Sequence, residues 1–262
     1  MPGETEYHPN SEWEVIETTG ANKPPPMSHH TSVEYKGVMY LFGGSNLSSE
    51  NLNMYVLDLH RYQWNLLKTK GYQNDDSNLP HTRDEHSSVV HNDTMIVFGG
   101  FAFGERTNSI FRYHFKMNQW EKISIKGKEA PCPRAGHSAV IRYNQETGDH
   151  MYIFGGKDDE NCKLSDTWKF NLETFQWTHI PTDSEPMGRS GHASAVYKDC
   201  MIIYGGIFEV TKELNDMHVF DLKKEQWIVL FEELNSPQNK GGSNHGASPG
   251  SVGLKKSITK VG

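Results

Sequence analysis

The sequence predicts an all-β chain assembled from a repeated four-stranded antiparallel unit, and three regularities carry that expectation. A diglycine closing a short apolar run occurs four times, at Gly43-Gly44, Gly99-Gly100, Gly155-Gly156 and Gly205-Gly206. Each pair is followed by a tryptophan, Trp64, Trp120, Trp177 or Trp227, 20 or 21 residues beyond its second glycine. Nine residues before each of these tryptophans stands an aromatic residue or histidine, Tyr55, Phe111, Trp168 and His218. Successive glycine pairs are 56, 56 and 50 residues apart, a period typical of the longer repeat architectures.

In chain order, each unit begins with a polar segment ending in histidine. These are Arg83-Asp84-Glu85-His86, Arg134-Ala135-Gly136-His137 and Arg189-Ser190-Gly191-His192, while the first copy has Met27 in the arginine's place before Ser28-His29-His30. A short alternating run such as Ser88-Val89-Val90 then predicts an inner strand. The runs into the glycines, from Val38 to Phe42, Met95 to Phe98, Met151 to Phe154 and Met201 to Tyr204, are too short for helices. They are rich in β-branched and aromatic side chains, so they are expected as buried second strands. A polar loop of variable length leads to a third strand at Tyr55, Phe111, Trp168 and His218. A fourth strand opens at the tryptophan of each Gln-Trp pair. The units are expected at residues 28–67, 84–123, 135–180 and 190–231, within a folded region over 11–234.

A sheet this small, apolar on both faces and with no helix to cover it, is not stable alone. Stacking such sheets as blades around an axis buries both faces and leaves only short protected edges, which is the solution of a β-propeller. At the crowded inner end of the second strand, glycine avoids a collision with the next blade and reaches a backbone conformation that strains other residues. The tryptophans are expected to fill the wedge between blades, each burying roughly 150–250 Å².

The Arg-x-x-His segment, the apolar run with Gly-Gly, the aromatic and the tryptophan nine residues later together resemble the kelch repeat, over about residues 11–231. The resemblance implies a kelch-type β-propeller of at least four full blades, and a role in protein interaction. Scaffolding, binding a small GTPase or cytoskeletal protein, and substrate recognition within a ubiquitin ligase are the roles it implies. Some kelch-type propellers are copper-radical oxidases with a tyrosine cross-linked to cysteine, so a metal-dependent propeller enzyme, copper- or iron-dependent, is the rival reading. Nothing around Cys132 or Cys162 matches such a site.

Upstream of the first unit, residues 11–17 resemble a fourth strand carrying its own tryptophan. Trp13 precedes Trp64 by 51 residues, against later steps of 56, 57 and 50. Kelch-type propellers commonly close by donating such a strand to a last blade. Downstream, His245 falls 18 residues after Trp227, where a fifth unit would open, but no further glycine pair follows. The expectation is therefore a shortened form of a longer propeller, with a flexible start over 1–10 and a disordered tail over 235–262. Open blade ends would expose apolar surface and favour self-association.

A net charge of −7 supplies no basic field for nucleic acid, and no apolar stretch approaches the roughly 20 residues of a membrane-spanning helix. Three cysteines at unrelated places in the repeat, and no secretory signal pattern over residues 1–10, suit the cytoplasm. Fourteen histidines invite a metal. His86, His137 and His192, however, recur once per unit, and such a residue is expected to satisfy backbone groups at the inner strand rather than to converge on an ion. No catalytic motif and no cofactor site is expected. Arg83, Arg134 and Arg189 are expected to ring the channel mouth, where they bond carbonyls of the next blade, capture carboxylates of a partner or acidic peptide, or do both. Phe101, Phe103, Ile207 and Phe208, in the loops after the glycines, are the apolar contact residues expected beside them. The long connection from Lys68 to His81, with its solvated acidic cluster Asn74-Asp75-Asp76, is expected to be mobile.

Overall fold

A computed structural model of the chain describes residues 13–46, 49–50, 54–210 and 212–228. Four blades run through them, each with an antiparallel meander of four strands in sequence order from the axis outward. The first blade comprises Thr31–Tyr35, Val38–Phe42, Met54–Asp58 and Gln63–Leu67. The second comprises Ser87–His91, Thr94–Phe98, Ile110–His114 and Gln119–Ile123. Ser138–Arg142, His150–Phe154, Thr167–Asn171 and Gln176–Ile180 form the third. The fourth comprises Ala193–Tyr197, Cys200–Tyr204, Met217–Asp221 and Gln226–Ile228. The glycine pairs end the second strands as expected, and each fourth strand opens at the glutamine before its tryptophan.

Pairing register divides each sheet into two faces, and the core consists of the seams between blades. In the third blade, Phe154 lies opposite Ser138 and Thr167, so Val140, Tyr152, Phe154 and Ile180 share a face. They pack on Met201, Ile203, Phe220, Leu222 and Trp227 of the fourth blade. The seam between second and third blades repeats this with Ile96, Phe98 and Ile123 against Met151, Phe170 and Trp177. Phe42 and Met54 meet Phe111, Tyr113 and Trp120 in the first. The aromatic before each of the first three glycine pairs meets the next blade's tryptophan: Phe42 and Trp120 at 4.8 Å between ring centroids, Phe98 and Trp177 at 5.0 Å, Phe154 and Trp227 at 4.7 Å. Trp120, Trp177 and Trp227 thus fill the inter-blade wedges, while Trp64, with no blade packed before it among the described residues, is half-buried.

Two expectations are corrected. Residues 13–18 form no strand and Trp13 is fully exposed. A fourth strand exists by pairing with a third, and among the described residues none lies beside it. Its register is nonetheless that of a blade edge. Thr19, six residues after Trp13, pairs in parallel with Gln63, as Lys70 pairs with Gln119 and Lys126 with Gln176, six residues after Trp64 and Trp120. The long connection from Lys68 to His81, expected as a mobile loop, carries the outermost strand Lys70–Gly71 of the second sheet and two short 3-10 turns. Residues 1–10, the tail over 235–262 and the fifth-unit signal at His245 lie outside the described residues, as do residues 11–12 of the strand expected over 11–17.

The inner strands adjoin in sequence order, first to second, second to third, third to fourth. The far face of the fourth blade is exposed at Tyr197, Tyr204, Met217 and Ile228.

Candidate functional site

The segments entering the inner strands and the loops leaving the glycine pairs meet at one end of the blades. One residue after each pair bridges to the polar segment of its own blade: Ser45 to Ser28, Phe101 to Asp84, Lys157 to Ala135, Ile207 to Ser190. Four equivalent positions are thereby held around the axis by backbone hydrogen bonds, with side chains that differ completely. That is how a rigid repeat scaffold presents variable binding groups.

The three arginines are not on this rim, which corrects the expectation that they ring the mouth. Arg83 is 3% exposed, and Arg134 and Arg189 are wholly buried. Each donates Nη1 to the carbonyl of its own blade's first paired glycine, Gly99, Gly155 or Gly205, at 3.0 Å. Arg134 is clamped by Asp166, with Nη1 and Nη2 each donating at 2.8 Å, and Arg189 by Asp216 at 2.6 and 3.0 Å. Trp168 Nε1 donates to the same Asp166 carboxylate, and His218 Nε2 is hydrogen-bonded to Asp216. Arg134 and Arg189 each neutralise a carboxylate, and all three arginines satisfy chain carbonyls with their donors, so they build the blade.

The recurring histidines are structural, though not through backbone groups. His86 Nε2 is hydrogen-bonded to Thr31 Oγ1 at 2.7 Å, His137 to Ser87 Oγ at 2.8 Å and His192 to Ser138 Oγ at 2.8 Å, each reaching into the preceding blade. Burial, with the neighbouring arginine adding to it, pushes His86 down to about 3 and His192 to about 4, and holds His137 well below its ordinary value. All three are neutral at physiological pH. The aromatic before each of the first three glycine pairs packs its ring against them, Phe42 on His86 at 5.4 Å, Phe98 on His137 at 5.0 Å and Phe154 on His192 at 5.5 Å. Among the described residues, no three His, Cys, Asp or Glu side chains gather as a metal-binding set.

At the mouth itself, the residue before each histidine, or in the first blade His29, adopts a left-handed backbone: φ is 58° at His29, 51° at Glu85, 68° at Gly136 and 67° at Gly191. These residues hydrogen-bond in series, Glu85 N–H to His29 carbonyl, Gly136 to Glu85 and Gly191 to Gly136. Two blades use glycine where this conformation is strain-free; the other two hold side chains there at a cost of order 1–3 kcal/mol. Glu85 pairs with Lys157 Nζ at 2.8 Å across a cavity of about 250 Å³ that His29, His30 and Ile207 also line. An adjoining cavity of about 290 Å³ is lined by Phe101, Arg106 and Asp84. Sequence reasoning missed Glu85 and Lys157. The signal was Glu85 standing where Arg-x-Gly-His supplies glycine in the third and fourth units.

The expected apolar contacts are placed by the same loops. Phe101, Phe103 and Ile207 are exposed, Phe103 by 67%. Phe208 is half-buried, with Lys212 Nζ 5.2 Å above its ring. Phe103 leans on His81, 4.2 Å between centroids.

Comparison with known proteins agrees with this architecture. A family model described as the KLHDC2/KLHL20/DRC7 Kelch-repeats domain matches residues 7–146 and 128–252. Kelch domain-containing protein 10 of Bos taurus is 29% identical over 225 residues, covering 83% of this chain and 47% of the relative. The Leucine-zipper-like transcriptional regulator 1 homolog of Drosophila melanogaster is 24% identical over 93% of the chain and 30% of its own length. Host cell factor homolog hcf-1 of Caenorhabditis elegans is 30% identical over 74% of the chain and 27% of its own. The chain spans about half or less of the length of these relatives.

Proposed function

Because the chain belongs to the Kelch-repeat family, matched in two overlapping segments from residue 7 to 252, we propose that it is a non-catalytic interaction module that seats a protein partner on its loop face. The observation that carries this reading is the ring of equivalent positions after the glycine pairs. There the scaffold holds apolar Phe101 and Ile207, both exposed, on either side of Lys157 and its Glu85 partner. Apolar anchors surrounding a charged pair at a concave mouth have the make-up of an interface centre. A small GTPase, a cytoskeletal protein and a ubiquitin-ligase component are the partner classes to which the family points. The three cysteines are unpaired, two of them exposed, which suits a cytoplasmic site of action.

Affinity capture tests the reading. A Phe101→Ala, Ile207→Ala double variant should lose partners that the parent chain retains, while Tyr62→Ala, at the opposite end of the first blade, should retain them. Equal capture by all three would overturn it. Metal analysis of the purified chain addresses the rival enzyme, since stoichiometric copper or iron would displace the interaction reading. The self-association expected of an open blade end has the exposed Tyr204 and Met217 behind it. Sedimentation should show a concentration-dependent dimer that Tyr204→Glu with Met217→Glu removes.

A further inference from the structure

Arg83, Arg134 and Arg189 occupy one position in three blades, but only two have a counter-ion among the described residues. Two residues before the aromatic of the third strand, the third and fourth blades carry Asp166 and Asp216, each clamping its arginine through both terminal nitrogens. The second blade has Ser109 there. Arg83 Nη1 donates to Ser109 Oγ at 3.2 Å and to Gly99, Nε donates to the His81 carbonyl at 3.2 Å, and Nη2 has no partner among the described residues. No carboxylate pairs with this guanidinium among the described residues, though Arg83 is only 3% exposed. Its cation lies instead over the Phe111 ring, 4.8 Å from the centroid, where the other blades place a ring N–H on the aspartate. A buried cation without a counter-ion is costly, and here burial pulls Arg83 down to about 10. In place of the missing aspartate is a cavity of about 260 Å³, lined by Arg83, Ser109, Thr107, Arg106, Lys122 and Glu105 among others. Arg106 Nε is buried there without a partner among the described residues.

We propose that this cavity in the second blade is a carboxylate-binding site, in which an external carboxylate takes the place that Asp166 and Asp216 fill in the next two blades. It would accept from Arg83 Nη2 and from the Ser109 hydroxyl, completing the bidentate pattern that the chain itself supplies elsewhere. The site stands on its own geometry. That the carboxylate is an aspartate or glutamate side chain of a protein partner rests on the interaction reading, and the neighbouring exposed Phe103, which also lines the cavity, supplies an apolar contact for such a residue.

The test replaces sodium chloride by sodium acetate at constant ionic strength and neutral pH and follows thermal unfolding. The parent chain should gain Tm with acetate. Ser109→Asp, which installs the internal carboxylate, should start from a higher Tm and gain nothing. Equal acetate shifts in both chains, or a lower starting Tm for Ser109→Asp, would overturn the site. Glu146→Gln, in an exposed turn of the third blade away from the cavity, should keep the acetate response, and its loss would also overturn the site. The source is tested by fluorescence polarisation with an N-acetylated, C-amidated glutamate-rich peptide. Binding that acetate competes away and Ser109→Asp abolishes supports a partner side chain. A peptide that fails to bind while acetate still raises Tm refutes the partner source alone. Capture that fails with the Phe101 and Ile207 variants bears on the interaction reading and leaves the acetate response untouched.

Discussion

Gly99 shows how much one hydrogen in place of a methyl group decides. Its φ is 66°, and a Cβ there would lie 2.8 Å from His137 Cε1 and 2.9 Å from the Arg134 carbonyl, both in the next blade's entry segment. Gly104 shares the left-handed backbone, φ 82°, but has nothing within 4 Å. Gly104→Ala should therefore cost only the conformational strain, about 1–2 kcal/mol. Gly99→Ala adds a clash with packed backbone and should cost at least about 3 kcal/mol, measured by urea unfolding. The arginines carry a second residue-scale prediction. Asp166→Ala strands the buried Arg134 charge and should destabilise by about 3–5 kcal/mol, whereas Asp216→Ala should cost less because its carboxylate is 42% exposed and screened by water. That the diglycines mark a collision point was legible in the sequence. The arginines' burial was not, because their partners lie 16 to 32 residues away and meet them only after the blade has folded back on itself. The aspartates two residues before Trp168 and His218, missing before Phe111, were the signal available.

At the scale of elements, the seam between blades makes stability depend on pH. His86, His137 and His192 each join an inner strand to the preceding blade, and burial lowers their pKa well under the ordinary 6.5. A group depressed in this way stabilises the fold fully above its unfolded pKa and loses that contribution as pH falls toward the folded value. Stability should be level above about pH 6.5 and decline below it, by up to about 1.4 kcal/mol per pH unit for each histidine. His192 should stop contributing near pH 4. Urea midpoints measured between pH 7.5 and 5 check this, and His137→Gln should shallow the slope. Asp166 acts further into acid. Burial pushes its carboxyl up, but the bonds from Arg134 and Trp168 outweigh that and leave it below 3.8. Its contribution is present above pH 3.8 and disappears as pH falls through the lower folded value. The histidine spacing announced a structural repeat, but a hydroxyl in another blade as the partner could be seen only once inner strands lay side by side. The connection from Lys68 to His81 escaped the sequence reading because its two-residue strand has no periodicity of its own and exists only by pairing with Gln119 and Trp120.

Across the whole molecule, equivalent residues have unequal worth according to whether a neighbouring blade stands beside them. Phe154 is buried between His192 and Trp227, while Tyr204 occupies the same register position one blade on and is 51% exposed. Phe154→Ala should cost about 3–5 kcal/mol and Tyr204→Ala close to nothing for the isolated chain, measured by chemical denaturation. Equal costs would mean that the fourth blade's far face is covered in solution. Periodicity alone determined the all-β class, the four blades, their strand order and the wedge role of the tryptophans, because each follows from local spacing that every unit repeats. Only the tertiary structure decided that the arginines lie inside and that Glu85 and Lys157 pair at the mouth. It alone, too, revealed that the arginine of the second blade is buried with no carboxylate paired to it among the described residues. Those facts depend on side chains brought together from different units, where the repeat dictates position but leaves the chemistry of each position free.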